Sequence, residues 1–505
     1  FAGKGSEKNM AFSARDRINR APKSLGFVDL KPYIKLTEAG ENFISGKRTE
    51  EVLLRQLLKF QLPSPYHKEP EEFKGIFCVK PYLEIFRLIY ELGTISYDEL
   101  MIFGMQLTHY NKFDSIVAEI KTFRRMRLYA EMSYKMFRGK YLKEQVERIY
   151  ADDINEGKTK TRESRDKSID KFVTTKSRNL RDYADACFRY LRATGMVEIS
   201  QRGHSISIMP EKRKEVEFFL SMVDRKPIYI DDEANYKKYL FDGSIPELYS
   251  DNRLRLIERV QEITGKSSGL EEQTTNELKD ILENAIANKK KKIISKQIKE
   301  LKEYKNYADV MDTFGDIKNN VLYDAPLMLE WNTWRAMTML DGGEIKANLK
   351  FDDKGQPMST AAGNMSDIVC DYGDFGLAVE VTMQSGQKQY ETEGEPVSRH
   401  LAKLKKETGK DAYCLFIAPK INESCIAYFY ALHTMNIAFY GGKSVIVPLE
   451  LDVFINMVEQ SYNAGYVPNP QQVKSIFEYS LEQAKNSVDE KEWYAKVKEK
   501  ALNWL

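Results

Sequence analysis

With 505 residues and a mass of 58.6 kDa, the chain exceeds one compact domain, and two to four are expected. Its 42 % hydrophobic and 30 % charged residues exclude a wholly disordered chain, and no apolar run approaches the roughly 18 residues that span a bilayer. The net charge of +2 hides a split: residues 1–325 carry 59 Lys and Arg against 51 Asp and Glu, whereas residues 326–505 carry 18 against 24. A basic front suits a polyanion and an acidic rear suits carboxylate chemistry, although solvated helix faces alone also produce such splits. The five cysteines are dispersed without a C-x-x-C pair, which excludes a disulfide scaffold and a cysteine zinc finger and points to a reducing compartment.

In chain order, Ala11–Leu30 carries Arg15, Arg17, Arg20 and Lys23, followed by a strand pair near Gly26–Val28 and Tyr33–Leu36. At Pro81–Tyr110, Ser96 and Glu99 have the spacing of a capping box opening a helix. Residues 150–170 are polar without an apolar period and read as a loop that orders on a partner. Asn179–Thr194 then reads as an amphipathic helix with Ala184, Cys187, Phe188 and Leu191 on one face, ending at Gly195. Val197–Ile199 and Ser205–Ile208 alternate like a hairpin. Helix, glycine and hairpin is the order of a winged helix. The stretches 11–40 and 179–208 read as two such units, with 81–110 as a weaker third.

A winged helix offers one helix to the major groove and its wing to the backbone, where Arg and Lys read guanines and hold phosphates. The DNA-contact candidates are Arg15, Arg17, Arg20 and Lys23, then Lys176, Arg178 and Arg181, with Arg189 and Arg192 beside them. The competing reading is a set of solvated helix faces. Residues 251–306 repeat Leu, Ile and Val at helical spacing and read as a helical linker. Gly265-Lys266-Ser267 and Gly442-Lys443-Ser444 lack the first glycine of a phosphate-binding loop, with Val260 and Ile437 in its place.

Behind the linker, Leu327–Met339 reads as a helix. Two apolar strands then flank the turn Asp371–Gly376, with Asp367 at the start of the first and Glu380 near the end of the second. Antiparallel pairing brings such carboxylates to one end of a sheet. Two converging carboxylates suit an octahedral Mg²⁺, which polarises a phosphodiester and activates water. A helix carrying Glu391, Glu393, Glu395, Arg399 and His400 follows, then strands at Ala412–Pro419 and Ser444–Leu449 and a helix at Leu451–Glu459. The order α-β-β-α-β-β-α is that of the PD-(D/E)xK nucleases, a mixed sheet between helices. The expected architecture is multi-domain α/β: a mainly helical winged-helix recognition region at 1–245, a helical linker at 246–325 and a nuclease domain at 326–505.

Several strings carry a closer resemblance. Ala361-Ala362-Gly363-Asn364-x-x-Asp367, Glu380-Val381-Thr382, Glu395–His400 and Tyr413–Pro419 resemble the AlwI/MlyI family of type IIS restriction endonucleases, which includes strand-specific nicking enzymes. Leu329-Glu330-Trp331-x-x-Trp334, Ala11–Arg17 and Arg178–Ala186 are similar too, so the resemblance covers nearly the whole chain. It implies binding of a short asymmetric site in double-stranded DNA and Mg²⁺-dependent hydrolysis at a fixed distance to one side. It also implies residues upstream of Phe1, transient pairing of nuclease domains, a cognate DNA methyltransferase in the same system without direct contact, and a prokaryotic cytoplasm without a membrane role.

Carried over by position, Asp367 and Glu380 are the metal ligands, and Glu330 and Glu393 are the two further acidic catalytic positions. Ser366 stands where the superfamily has proline, and Thr382 where it has lysine. Lys388, Glu393 or the metal alone must then place the water. His400 is read as packing or hydrogen bonding structurally, with a general base as the alternative. Trp331 and Trp334 are read as core. The rival functions are a nicking enzyme with the same chemistry, a DNA-binding regulator with an inactive nuclease domain, and a structure-specific repair nuclease.

Overall fold

The computed structural model of the chain describes residues 21–505 except 69–73, 162, 201–203, 267, 320 and 341. It forms two compact units, residues 1–285 and 286–505.

In the first unit, β1 (Val28–Asp29) pairs antiparallel with β2 (Lys35–Leu36). Then come α1 (Glu38–Ile44), α2 (Thr49–Lys59) and α3 (Pro81–Leu92). Pro81 occupies the first turn of α3, where no intrahelical N–H is needed, and Leu83, Ile85, Phe86, Leu88 and Ile89 are buried. β3 (Thr94–Ser96) leads into α4 (Tyr97–Ile102), whose N-terminus is the expected capping box. The Ser96 hydroxyl accepts from Glu99 N at 3.1 Å, and the Glu99 carboxylate accepts from Ser96 N at 2.8 Å.

Two antiparallel helices, α5 (Phe113–Leu128) and α6 (Tyr134–Ile149), precede α7 (Ile169–Ala193). α7 begins ten residues before the expected Asn179. Ser168 caps it by accepting from Lys171 N, and Phe172, Val173 and Leu180 extend the apolar face backwards. The end of α7 agrees with the sequence reading, since Gly195 follows with a φ of +66°. β4 (Val197–Ser200) and β5 (Ser205–Ile208) form the expected hairpin.

β5 also pairs with β3, placing Ile95 opposite Ile206, so the sheet order is β3-β5-β4. The stretches around 81–96 and 169–208 are therefore parts of one α-β-α…α-β-β unit, not separate copies. A hairpin alone is marginal in water, and the third strand completes it. α8 (Arg213–Met222) and α9 (Arg253–Thr264) follow. Gly265, at a φ of +70°, ends α9, which is its structural use. α10 (Thr275–Lys302) contains the boundary between the two units. Within the stretch read as a linker, Leu256, Ile257, Val260, Leu270 and Leu278 form a small cluster, whereas Leu301, Val310, Phe314 and Ile317 join the core of the second unit.

The second unit opens with α11 (Tyr307–Lys318) and the almost wholly buried α12 (Ala325–Leu340). β6 (Glu344–Ala347) and a small pair, β7 (Lys350–Phe351) and β8 (Pro357–Ser359), precede β9 (Ile368–Asp371) and β10 (Phe375–Val381). Next come α13 (Gln387–Thr408), β11 (Asp411–Ala418), α14 (Glu423–Thr434), β12 (Ile446–Glu450) and α15 (Leu451–Ala464). α16 (Pro470–Asn486) and α17 (Glu490–Leu502) close the chain.

The sheet is mixed, in the order β12-β11-β10-β9-β6. β10, β11 and β12 are parallel, and β9 is antiparallel to both its neighbours. Besides the small β7–β8 pair and the closing helices α16 and α17, two elements of the sheet region depart from the expected order. β6 is an added edge strand, and α14 lies between β11 and β12. A parallel neighbour cannot be reached by a tight turn, so β11 and β12 require a crossover of this kind. β10 and β11 are buried along nearly their whole length, as strands covered on both faces are. Trp334 is buried with Nε1 donating to Ile345 O at 3.3 Å, and Trp331 is buried too, so both are core as expected. No helix among the described residues is long and apolar enough to cross a membrane.

Candidate active site

The register of β9 and β10 decides the site. Val379 lies opposite Ile368 and Ala378 opposite Val369, so continuing the ladder by one step sets Glu380 opposite Asp367. The thirteen-residue spacing thus becomes a cross-strand pair at one end of the sheet. Val381 N donates to Asp367 Oδ2 at 2.8 Å and fixes that carboxylate. Asp367 keeps a partly open surface, yet its carboxyl is densely surrounded by protein.

Glu330 arrives from buried α12. Its Oε1 accepts from Ala361 N at 2.8 Å, which ties the helix to the loop before β9. Glu393 projects from α13, and its Oε1 accepts from Thr382 Oγ1 at 2.9 Å. Thr382 is buried just beyond β10, where its N–H bonds Ile417 O. The Thr382 hydroxyl therefore orients the Glu393 carboxylate. The neighbouring Ser366 hydroxyl favours the ionised form of Glu380.

His400 lies two turns along α13 from Glu393, on the same face. Its Nδ1 stands 2.9 Å from Glu380 Oε1. Burial, with Arg399 and Lys403 nearby, lowers the His400 pKa and favours the neutral ring beside this carboxyl. The structural reading of this histidine agrees with the contact. The seven-residue spacing from Glu393 was the signal for it in the sequence. The loop at 361–364 is held against the same helix. Arg399 donates to the Asn364 side chain, and Lys403 donates to Asn364 O at 3.2 Å.

The four acids also meet electrostatically. Burial, then the Asp367 charge, pushes the Glu330 carboxyl far above the usual range. Burial, then Glu380, does the same to Asp367. Burial pushes Glu380 up to about 8, with Glu393 adding to it. Among the described residues, no Lys or Arg forms an ion pair with any of the four. Lys388 is exposed and contributes no such charge. Such mutual repulsion without a compensating cation is costly in a dry site.

Oxygen-only carboxylate donors match a hard divalent cation. Asp367 Oδ1 and Glu330 Oε2 remain without a protein donor among the described residues. By donor chemistry the residues fit such an ion. Among the described residues, however, no three His, Cys, Asp or Glu side chains are already gathered as a ligand set.

Of the residues expected to touch DNA, Arg15, Arg17 and Arg20 lie outside the described residues. Lys23 Nζ sits 4.4 Å over the Tyr66 ring. Lys176 is held over Tyr150 at 4.4 Å and Phe172 at 5.2 Å. Arg178 and Arg181 are exposed on α7. Arg189 pairs with Asp185, and Arg192 is buried.

Comparison with known proteins gives one family and two structural likenesses. The family model described as AlwI restriction endonuclease matches residues 23–457. The crystal structure of the small subunit (R.BspD6I2) of the heterodimeric restriction endonuclease R.BspD6I is 27 % identical. That match covers 38 % of this chain and 98 % of that one, with a TM-score of 0.32. The BpuJ1 endonuclease binding domain, solved with pyrene- and phenanthrene-modified DNA, is 12 % identical. It covers 48 % of this chain and 80 % of that one, with a TM-score of 0.31. No curated protein matches.

Proposed function

The chain belongs to the AlwI restriction endonuclease family, a family of site-specific deoxyribonucleases, and from that premise we propose a type IIS enzyme that hydrolyses DNA at a fixed distance from an asymmetric site. The cross-strand pair of Asp367 and Glu380, held by the Val381 amide, carries the reading. It is the PD-(D/E)xK arrangement, with serine and threonine at two motif positions.

Asp367 and Glu380 would hold a Mg²⁺ ion, with Glu330 and Glu393 completing its surroundings. When bound, the ion supplies Lewis acidity and charge neutralisation at the scissile phosphate. The remaining tasks belong to the chain. The Val381 and Ala361 amides lock one oxygen each of Asp367 and Glu330, and the opposite oxygens are left for the ion. His400 hydrogen-bonds Glu380 through Nδ1 and restrains its rotamer. Thr382 holds the Glu393 carboxylate in place, leaving Glu393 to position a water. Cleavage leaves a 5′-phosphate and a 3′-hydroxyl.

In the front unit, the α3-β3-α4…α7-β4-β5 order supports a winged helix with α7 as its major-groove helix and Arg178 and Arg181 as DNA contacts. Sequencing the ends of DNA digested in Mg²⁺ tests the whole reading. One strand-specific offset from a common sequence is expected, and scattered ends would overturn it. Supercoiled plasmid separates linear product from the persistent open circles of a nicking enzyme. If nuclease domains pair transiently, linearisation should rise more steeply than linearly with enzyme concentration.

Thr382→Val keeps the shape and loses the bond to Glu393. Turnover should fall roughly 10- to 100-fold, the range for losing a group that orients a ligand, with DNA affinity and thermal midpoint near the parent's. A steady-state plasmid assay beside a binding titration checks this, and undiminished turnover would remove Thr382 from the site.

A further inference from the structure

We propose that the tip of the α5–α6 hairpin is a second DNA-contact element, an apolar wedge flanked by cations. This rests on the DNA-cleaving reading above and adds a surface to it. The hairpin is anchored close to its turn. Arg124 Nε donates to Glu99 Oε1 at 2.6 Å, Tyr134 Oη donates to Asp98 Oδ2 at 2.7 Å, and Arg138 pairs with Asp98 at 3.5 Å. Phe123, Phe137 and Tyr141 pack where the helices meet, with ring centroids 5.0–6.1 Å apart. α6 also packs along α7. The tip is therefore held in place by a built support.

At the tip, Leu128 is 80 % and Tyr129 83 % exposed, with Met126 and Met136 exposed beside them. Met126 and Tyr129 border a groove of about 740 Å³ that Arg125, Met132, Lys140 and Tyr141 also line. Large apolar side chains displayed together on a rigid support mark a contact surface. The surrounding charge selects the occupant. Residues 121–140 contain seven Lys and Arg against one Glu, a net +6 in a chain whose total is +2. Arg125, Lys135 and Lys140 are exposed and have no carboxylate partner among the described residues. Protein interfaces are depleted of lysine at their apolar centre. Apolar wedges bordered by Arg and Lys are instead suited to DNA, where cations grip phosphates and the wedge leans between base steps in the minor groove. Leu128 and Tyr129 are the wedge, and Arg125, Lys135 and Lys140 are the phosphate contacts.

The test uses the full chain in EDTA, which prevents cutting, and a short duplex carrying the mapped site. L128S/Y129S should weaken binding at least about tenfold and reduce the bend read by end-to-end fluorescence transfer. R125Q/K135Q/K140Q should lower the slope of log affinity against log salt by about 3. All five positions are exposed, and far-UV circular dichroism with the thermal midpoint verifies folding. Parental affinity, bend and salt slope in both variants would overturn the wedge. A changed sedimentation coefficient without a change in DNA binding would also overturn it, in favour of a second copy of this chain. R178Q/R181Q separates the two readings. If it alone loses binding, the wedge fails and the α7 assignment stands. If only the hairpin variants lose binding, the wedge stands and the α7 assignment fails.

Discussion

Asp367→Asn is expected to abolish cleavage, lowering the rate by at least about a thousandfold while site binding persists. Three observations set the size of the effect. Asp367 is the residue opposite Glu380 in the ladder, one of its oxygens is fixed by Val381 N, and its other oxygen has no protein donor among the described residues. An amide presents the oxygen but not the charge, so the paired carboxylates no longer offer a dianionic grip. Glu380→Gln should behave alike. Its amide also alters the contact with His400 Nδ1, so it adds a loss of ring orientation. A plasmid assay in Mg²⁺ with a parallel mobility-shift titration reads both quantities. Equal cutting by Asp367→Asn and the parent would refute the site. Absence of Mg²⁺-dependent cutting in the parent itself would leave a DNA-binding protein whose nuclease domain is inactive.

The second large effect concerns the metal-free protein. Its thermal midpoint for the unit at 286–505 should fall as pH rises from 5.5 to 8.5, by roughly 10 °C, and millimolar Mg²⁺ should restore most of the loss. Burial and mutual repulsion raise Glu330, Asp367 and Glu380 above their ordinary values of 4.5, 3.8 and 4.5, with Glu380 at about 8. A carboxyl whose folded value is raised binds more protons folded than unfolded throughout that interval. Its contribution is fully present below about 4.5 and is lost as pH climbs through about 8, on the order of 4 kcal/mol for Glu380 over the whole window. A divalent cation takes the place of the protons, so it should flatten the slope. Asp367→Asn should flatten it too, without any metal, because one repelling charge is gone. Differential scanning calorimetry across pH in EDTA and in Mg²⁺ provides the measurement. A midpoint that rises with pH, or that ignores Mg²⁺ at pH 8.5, would show that the acids do not share one cation.

Much of the rear unit was legible because its signals are local. The apolar runs at 377–381 and 412–418 are long enough to be read as buried strands, and the turn at Asp371–Gly376 separates two of them. The interval between Asp367 and Glu380 then fits one hairpin. The capping box at Ser96 and the terminating Gly195 were legible for the same reason, since each is settled within a few residues. Other elements lacked such a signal. β6 is four residues long, and only pairing with β9 makes it a strand. α14 carries Ile426, Phe429 and Leu432 at near-helical spacing, but its necessity appears only once β11 and β12 are known to be parallel. The early start of α7 escaped because its first three turns interleave polar residues with Phe172 and Val173.

The front unit taught the same lesson at larger scale. In the sequence, 179–208 read as one winged-helix unit and 81–110 as a weaker copy of it. They are complementary parts of one sheet, joined when β3 pairs with β5 across more than a hundred residues. Loop closure over such a distance leaves no local trace in composition or period.

The sequence by itself determined the long apolar strands of the rear unit, the helix start at Ser96, the helix end at Gly195 and the charge division, and its matched strings pointed to the four acids at 330, 367, 380 and 393. Only the tertiary structure decided how these acids are held: Thr382 bonding Glu393, His400 bonding Glu380, and the Ala361 amide restraining Glu330. Periodicity specifies which face of an element is buried. The partner across the gap depends on sheet register and helix packing, which exist only after distant segments have met.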